Sequence, residues 1–533
     1  MRYSSSTVGR RWPPARAWAI SVVLLFAGGL RAALLMPGTQ PKEHEFNLRD
    51  VANCRQCHSR TTNGPADPFF SWQGGMMAQA ARDPVFRAAL AIANQDIKGV
   101  GEFCIRCHSP KAWAEGRSSA PDASLLVGDD LHGVSCDVCH HLVDPLSAEA
   151  KQFARQIPPG YGNGMIVIDP ARTLRGPYGE PNGLKMHGTA QSAYHAASEL
   201  CGTCHNVSNP TLATNVNLQP PHTFGHIERT YSEWALSDFA KTDHPQTCQS
   251  CHFPRVLAGG KAVNYDSRRG DQHRDYFVSH SAVGGSTWVQ DAIFEIWKGQ
   301  DVDRDALEAG KQHARALLQT AAALGLELVA GKARLTITNL TGHKLPTGYP
   351  EGRRMWVNVR FFGFGDRLLG EMGRYGTKKE ILSDDEVKVP TLLDPNQTRV
   401  YECTPGISPE QAAKYGRKPG PSFHFILNDI ITKDNRIPPR GYRRASFAEH
   451  LATPVAAEYA DGQYWDELEF NMPSGTQRVE ARLMYQSVSW EYLKFLVEEN
   501  RTDKWGKDLY AAWRKTGRCP PEEVAFAKAE VKP

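Results

Sequence analysis

Ten of the twelve cysteines stand in five copies of one pattern, Cys-x-x-Cys-His. The copies pair Cys54 with Cys57, Cys104 with Cys107, Cys136 with Cys139, Cys201 with Cys204 and Cys248 with Cys251. They end in His58, His108, His140, His205 and His252. Two thiols three residues apart on one turn reach the two vinyl groups of a single porphyrin and become thioethers. The histidine that follows is carried under the iron as its proximal ligand. The expected cofactor is therefore haem c, covalently bound at five places. A zinc reading leaves the five trailing histidines unexplained and prefers clustered pairs. A disulfide reading gives no reason for a fixed gap of two residues.

Each iron has a sixth position. A histidine or methionine there makes a closed electron-transfer site, and an open position admits a small molecule. Ten histidines before residue 290 lie outside the motifs: His44, His132, His141, His187, His195, His222, His226, His244, His273 and His280. His187 and His195 flank a short segment just before the fourth motif. His280 precedes Ser-Ala-Val-Gly-Gly285, where glycines let backbone approach a flat macrocycle. His343, in Thr341-Gly-His-Lys-Leu-Pro-Thr-Gly348, sits on a turn that would dock a later domain onto a haem. These four are the leading distal candidates, each weighed against a solvated or structural histidine. Met76 or Met77 would give one thioether ligand, against the usual core-filling role. His132 and His141 flank the third motif as reserves. His424, on a β-prone run, and His450 are read as non-ligands.

The elements that must position these groups divide the chain unevenly. Residues 37–50 read as a polar linker and 51–290 as a pentahaem cytochrome region. Its motif starts are 50, 32, 65 and 47 residues apart, so no strict repeat exists. Gly, Pro and Ser are frequent there, and a helix near Asp83–Asn94 is the clearest regular element. Such a region is expected to use porphyrin faces as its apolar core. Residues 291–332 are expected to hold a connecting helix, amphipathic over 303–325 through Leu307, Ala314, Leu317, Leu318 and Ala321. Residues 333–486 read as a β-sandwich-like domain. Its β-prone runs are Leu335–Thr338, Met355–Phe361, Arg399–Glu402, Phe423–Leu427 and Val479–Met484. Residues 487–533 are expected to close the chain with helices at Trp490–Glu499 and Trp505–Lys515. The expected class is thus α+β: a loop-rich, mainly helical multihaem domain followed by a β-sandwich-like domain with C-terminal helices. Cys403 and Cys519 fall outside every motif, and a disulfide between them competes with two buried thiols.

The 533 residues are 41% hydrophobic and 23% charged, as in soluble globular proteins. The net charge of +4 belongs to the apoprotein; each haem adds two propionates, so the basic balance does not imply nucleic-acid binding. Residues 1–36 hold Arg2, Arg10, Arg11 and Arg16, then the apolar run Ala17–Leu30, interrupted by Arg31. The two readings are a cleaved signal peptide and a retained membrane anchor. No cysteine precedes Cys54, which excludes a lipoprotein anchor. Both readings, and haem attachment itself, place the protein in the periplasm or cell exterior.

With its five motifs, and with Tyr231-Ser-Glu-Trp234 before the last of them, the chain resembles bacterial multihaem c-type cytochromes of the cytochrome c-554/c-prime type over roughly residues 50–290. The stretch from Leu335 through Thr341–Gly348 to Arg353-Arg-Met-Trp356 looks like a β-domain that accompanies many such proteins. The resemblance implies closely packed haems, mostly bis-His, passing electrons along a chain. The better-studied members carry four haems, so the fifth leaves haem order open. The leading functional expectation is an electron-transfer protein in a respiratory or extracellular pathway, with redox proteins as donor and acceptor. The alternative is an oxidoreductase acting on a small nitrogen or sulfur compound at one open haem. Pentahaem nitrite reductases are similar in haem number, but their active-site motif ends in Lys and all five here end in His. A third expectation, a conduit docked in a larger membrane complex, shares the same chemistry.

Overall fold

The structure, a computed structural model, describes residues 36–59, 67–178, 187–213, 218–243, 245–256 and 277–531, with the strand backbone of 263–264 and 273–274. The N-terminal basic and apolar run and His244 lie outside the described residues, as does the side chain of His273. Among the described residues no helix is long and apolar enough to cross a membrane.

The first half is a succession of short helices: α1 (Val51–His58), α2 (Pro68–Gln73), α3 (Pro84–Asp96), α4 (Gly101–His108), α5 (Cys136–His140), α6 (Ser198–Gly202), α7 (Thr230–Ala235), α8 (Asp238–Lys241) and α9 (Cys248–His252). In α1, α4, α5 and α9 the motif histidine is the last helical residue. The fourth motif runs past the end of α6, but the His205 N–H still donates to the Cys201 carbonyl at 2.8 Å, so the turn persists. One helical turn puts cysteines i and i+3 on the same face, as one porphyrin requires. Side chains start several of these helices. Asp83 Oδ1 accepts from the Val85 N–H at 2.8 Å, and Ser135 Oγ from the Val138 N–H at 3.3 Å. Each such cap contributes about 1 kcal/mol. Elsewhere this half is loop and two-stranded ribbon, such as Val207–Ser208 against His226–Glu228. The aromatic stretch around Trp72 is helical only to Gln73 and then passes into turns.

The second half begins with α10 (Val289–Trp297) and α11 (Arg304–Leu318), the latter capped by Asp303. Two sheets follow. Strand β2 (Lys332–Asn339) pairs antiparallel with β1 (Ala322–Val329). In the second sheet β3 (Arg354–Phe362) pairs with β4 (Leu368–Met372). On the other edge of β2 lies β5 (Trp465–Asn471). β3 also pairs with β6 (Arg478–Gln486), which then pairs with the last strand. Buried residues alternate along β2 and β6, and Leu335, Ile337, Val357, Phe361, Val479 and Leu483 share one core between the sheets. Helices α12 (Trp490–Glu498) and α13 (Trp505–Lys515) precede that last strand, β7 (Glu522–Glu530). Leu493, Leu496, Leu509 and Trp513 of these two helices meet Ala88 and Ile92 of α3 in a second core. The described residues from Met36 to Val531 thereby pack as one unit.

Several expectations are corrected. The helix read over 303–325 ends at Leu318. Leu324, Leu326 and Leu328 alternate on β1 instead, because pairing with β2 outweighs the helix preference of the alanines. The chain closes on β7, not on helices. Phe423–Leu427 is a turn in which Ile426 and Leu427 are buried and Phe423 and Phe425 half-buried, so burial rather than pairing explains its composition. Cys403 and Cys519 are free thiols in different surroundings, Cys403 near Asp434 and Cys519 beside Ser487.

Candidate haem-binding array

The five motifs are packed against one another. Thiols of different copies lie close enough in pairs to act on one another: Cys54 with Cys136, Cys107 with Cys204, and Cys201 with Cys248. The backbone fixes these contacts. The N–H groups of Arg49 and Val51, at the start of α1, donate to Asp137 of the third motif and to Asp129 just before it. Ser198 Oγ accepts from the Cys248 N–H at 3.0 Å. Gly164 bridges the second and fourth copies: its N–H donates to the Thr203 carbonyl at 2.8 Å and its carbonyl accepts from Arg106 Nε. A Cβ on Gly164 would stand 2.8 Å from Cys107 Sγ, and its φ of +62° also favours glycine. Burial pushes the Cys104 and Cys139 thiols up, to about 12 and about 11.

The motif histidines are oriented for iron. Nδ1 of His108 lies 3.1 Å from the Ala80 carbonyl, that of His140 2.6 Å from Arg175, and that of His252 2.5 Å from Val283. A carbonyl accepts only from an Nδ1–H, so this tautomer leaves the Nε2 lone pair for a metal. Burial lowers the pKa of His108 to about 4 and depresses His58, His140 and His252 as well, so the rings stay neutral, the form that binds metal. His205 differs. Its Nδ1 meets the Glu228 carboxylate at 3.2 Å. Burial opposes its protonation, but the hydrogen bond and charge of Glu228 prevail and raise it to about 9. The donor set therefore fits haem c: paired thiols, and imidazoles tied at the nitrogen that iron does not use.

The distal candidates fall into three groups. Two imidazoles sharing one ion, each nitrogen about 2 Å from it, have centroids roughly 6 Å apart. His343 stands 6.4 Å from His252 with an interplanar angle of 29°, and His280 stands 6.4 Å from His140. Both tie Nδ1 to a backbone carbonyl, Lys344 and Val278 respectively. His187 acts electrostatically on both His58 and His140, with its Nδ1 in an exposed contact 3.1 Å from the Gly188 carbonyl. The second group has its nitrogens occupied. His195 stacks 5.6 Å from His140, but its Nε2 meets the Cys139 carbonyl and its Nδ1 meets Ser192. His132 lies between Arg82 and Asp301, and His141 is turned to Asp137. Of the methionines, Met76 packs on the core around α3, and Met77 contributes its carbonyl to the Val134 N–H. His424 pairs with Asp96, and His450 stacks on His222 at 4.0 Å.

Among the described residues none of the eight candidates stacks on His108 or His205. The His108 ring instead lies flat on Phe86, 3.7 Å between centroids. Sequence reasoning missed Glu228 and the groups near the second motif. Cys104 acts electrostatically on Tyr349, whose hydroxyl meets that of Tyr492 at 3.0 Å. Burial raises Glu351, close by Tyr349, to about 8. Tyr349 and Glu351 flank the Thr341–Gly348 stretch; proximity to that motif was the signal available.

Residues 53–141 match the family of cytochrome c554 and c-prime. No curated protein matches the chain. Among solved structures the fold is similar to a penta-haem cytochrome c552 from Thermochromatium tepidum, with a TM-score of 0.53 and 16% identity over 91% of this chain and 99% of that one. The β-rich half thus belongs to the shared fold as well as the motif-bearing half. The first three Cys-x-x-Cys-His motifs thus lie in a stretch that matches the cytochrome c554 and c-prime family, on a fold similar to that of a penta-haem cytochrome.

Proposed function

We propose that the protein is an exported pentahaem cytochrome that passes electrons along closely spaced, mostly bis-His haems between redox partner proteins in a respiratory or extracellular pathway. One observation carries this reading: thiols of different motifs lie close together in three pairs, linking first to third, second to fourth and fourth to fifth. Attachment points so close put neighbouring porphyrins within short range, and electron transfer falls steeply with the gap. The ten motif cysteines would hold five haems, with His58, His108, His140, His205 and His252 as proximal ligands. His343 pairs with His252, His280 with His140, and His187 serves the first motif. Bound haem supplies one-electron chemistry at iron, with its potential set by axial ligand, burial and hydrogen bonding. The chain's own part is to orient rings through their Nδ1 partners and to exclude water. The N-terminal basic and apolar segment directs export to the periplasm or cell exterior, cleaved or kept as an anchor. The test is a haem-to-protein ratio on the purified exported protein, with the spectrum of its oxidised form. A ratio of five and mainly low-spin absorption are expected. A ratio below five, or a protein retained in the cytoplasm, overturns the reading.

A second reading, an oxidoreductase for a small nitrogen or sulfur compound, is favoured by the second motif. There His108 stacks on Phe86 while Tyr349, Tyr492 and Glu351 offer acid–base groups nearby. A high-spin signal that shifts on adding nitrite or cyanide supports it, and an inert low-spin spectrum removes it.

A further inference from the structure

Two short stretches on opposite halves of the molecule are built into each other. Tyr231-Ser-Glu-Trp234 lies on α7, before the fifth motif. Thr341–Gly348 leaves β2 and carries His343. Glu233 is wholly buried between them. Its Oε2 accepts from the Lys344 N–H at 3.0 Å and from the Thr347 hydroxyl at 2.7 Å. Its Oε1 stands 3.3 Å from Arg436 Nη2. Trp234 closes the same contact: a Cβ on Gly342 would meet Trp234 Cδ1 at 3.0 Å and Phe239 Cγ at 3.3 Å. Glu233 thus grips the backbone directly after His343, and Trp234 the residue directly before it.

A carboxylate removed from water is costly unless its oxygens are used. Here one oxygen takes two donors and the other faces a guanidinium. The same loop is fixed from the β side by Asn339, whose Nδ2 donates to the His343 carbonyl at 2.8 Å. The ring itself is turned by Nδ1 toward the Lys344 carbonyl at 2.9 Å. The peptide between His343 and Lys344 is held at both ends, and the ring faces His252 across 6.4 Å.

We propose that Glu233 is the positioning residue of the fifth haem site: it holds the His343–Lys344 peptide against α7 so that the His343 ring faces His252 at ligand spacing. This rests on the reading that His343 and His252 share one iron.

The experiment uses the full haem-loaded protein and reads spin state and added imidazole. Glu233→Ala is expected to turn about one haem in five high-spin, and imidazole to restore the low-spin spectrum by filling the vacated position. Glu233→Gln keeps an acceptor for Lys344 and Thr347 and is expected to stay low-spin. Gly342→Ala displaces the loop from Trp234 without leaving a charge unpaired, and is expected to give the same imidazole-reversible signal if Glu233→Ala does not fold. His343→Ala separates the two layers. If it is high-spin while Glu233→Ala and Gly342→Ala remain low-spin, Glu233 does not position the ligand. If His343→Ala is itself unchanged, the shared-iron reading fails, and the positioning role with it.

Discussion

Asp434 is the sharpest place to perturb the joint between the two halves. Its Oδ2 takes Lys344 Nζ at 2.6 Å and Arg436 Nη2 at 2.7 Å, and its Oδ1 takes Arg436 Nε at 2.8 Å. With Glu233 this makes two anions and two cations, all buried. Burial opposes ionisation of Asp434, but the charges of Arg436 and Lys344 outweigh it and hold the carboxyl far below the usual carboxylate range. Asp434→Asn offers one acceptor oxygen in place of two and turns an amide donor toward a cation. It also leaves two cations on one anion. Removing one partner from a buried ion pair costs about 3–5 kcal/mol, so a loss of about 3 kcal/mol at pH 7 is expected in denaturant unfolding. The pH dependence has a definite sign. The folded-state pKa lies below the unfolded value of about 3.9, so the stabilisation is full above about pH 4 and declines as pH falls toward the folded pKa. The difference between wild type and variant is therefore flat from about pH 8 to 5 and narrows below about pH 4. Lys344→Met together with Asp434→Asn restores a one-to-one balance, so the double variant loses less than the sum of the singles, by about 1–3 kcal/mol. A single-variant loss under about 0.5 kcal/mol, or a difference that widens on acidification, refutes the assignment of these charges.

Three further outcomes are expected. Glu228→Gln replaces a charged acceptor on His205 Nδ1 with a neutral one. The ferric state then loses about 1 kcal/mol of preference, and one midpoint potential moves up by about 40 mV in spectroelectrochemical titration; a fall in that potential contradicts the orientation given to His205. His280→Ala makes one haem high-spin while His195→Ala, whose ring nitrogens are already occupied, leaves the spectrum unchanged; the reverse pattern exchanges the two as partners of His140. Gly164→Ala places a methyl against Cys107 at a positive φ and lowers stability by about 1–3 kcal/mol in thermal or denaturant unfolding; no loss means the second and fourth motifs are not held by this close approach.

The cofactor chemistry was legible because thioether attachment demands fixed residue types at fixed spacing. Strands were legible where alternation is strong, as along Leu335–Thr338 and Val479–Met484. β1 was hidden by alanines that continue the pattern of α11. β7 was hidden because its apolar positions are mostly alanine and its outward face carries Glu and Lys, as suits an outer strand. Which imidazoles face each other could not be read from spacing: His252 and His343 lie 6.4 Å apart because Thr341–Gly348 returns onto α7. Nor could the orientation of the proximal rings, since Ala80, Arg175 and Val283 contribute carbonyls, and a carbonyl leaves no mark on residue identity.

The β-rich half has a physical reason to be where it is. The motif-bearing half has several small cores of its own, such as those around Trp113, Ile105 and Trp72. Loops with so little buried area cannot by themselves fix side chains closely. Contacts from the second half supply the missing constraint at elements next to the motifs. Arg229 Nε donates to the His450 carbonyl at 2.9 Å just before α7, and Asn209 Nδ2 to the Ile426 carbonyl at 2.7 Å just after the fourth motif. Electron transfer between fixed sites is favoured when little around them rearranges with charge, and a haem array held from outside by a packed β core meets that condition without needing a large core among its own loops.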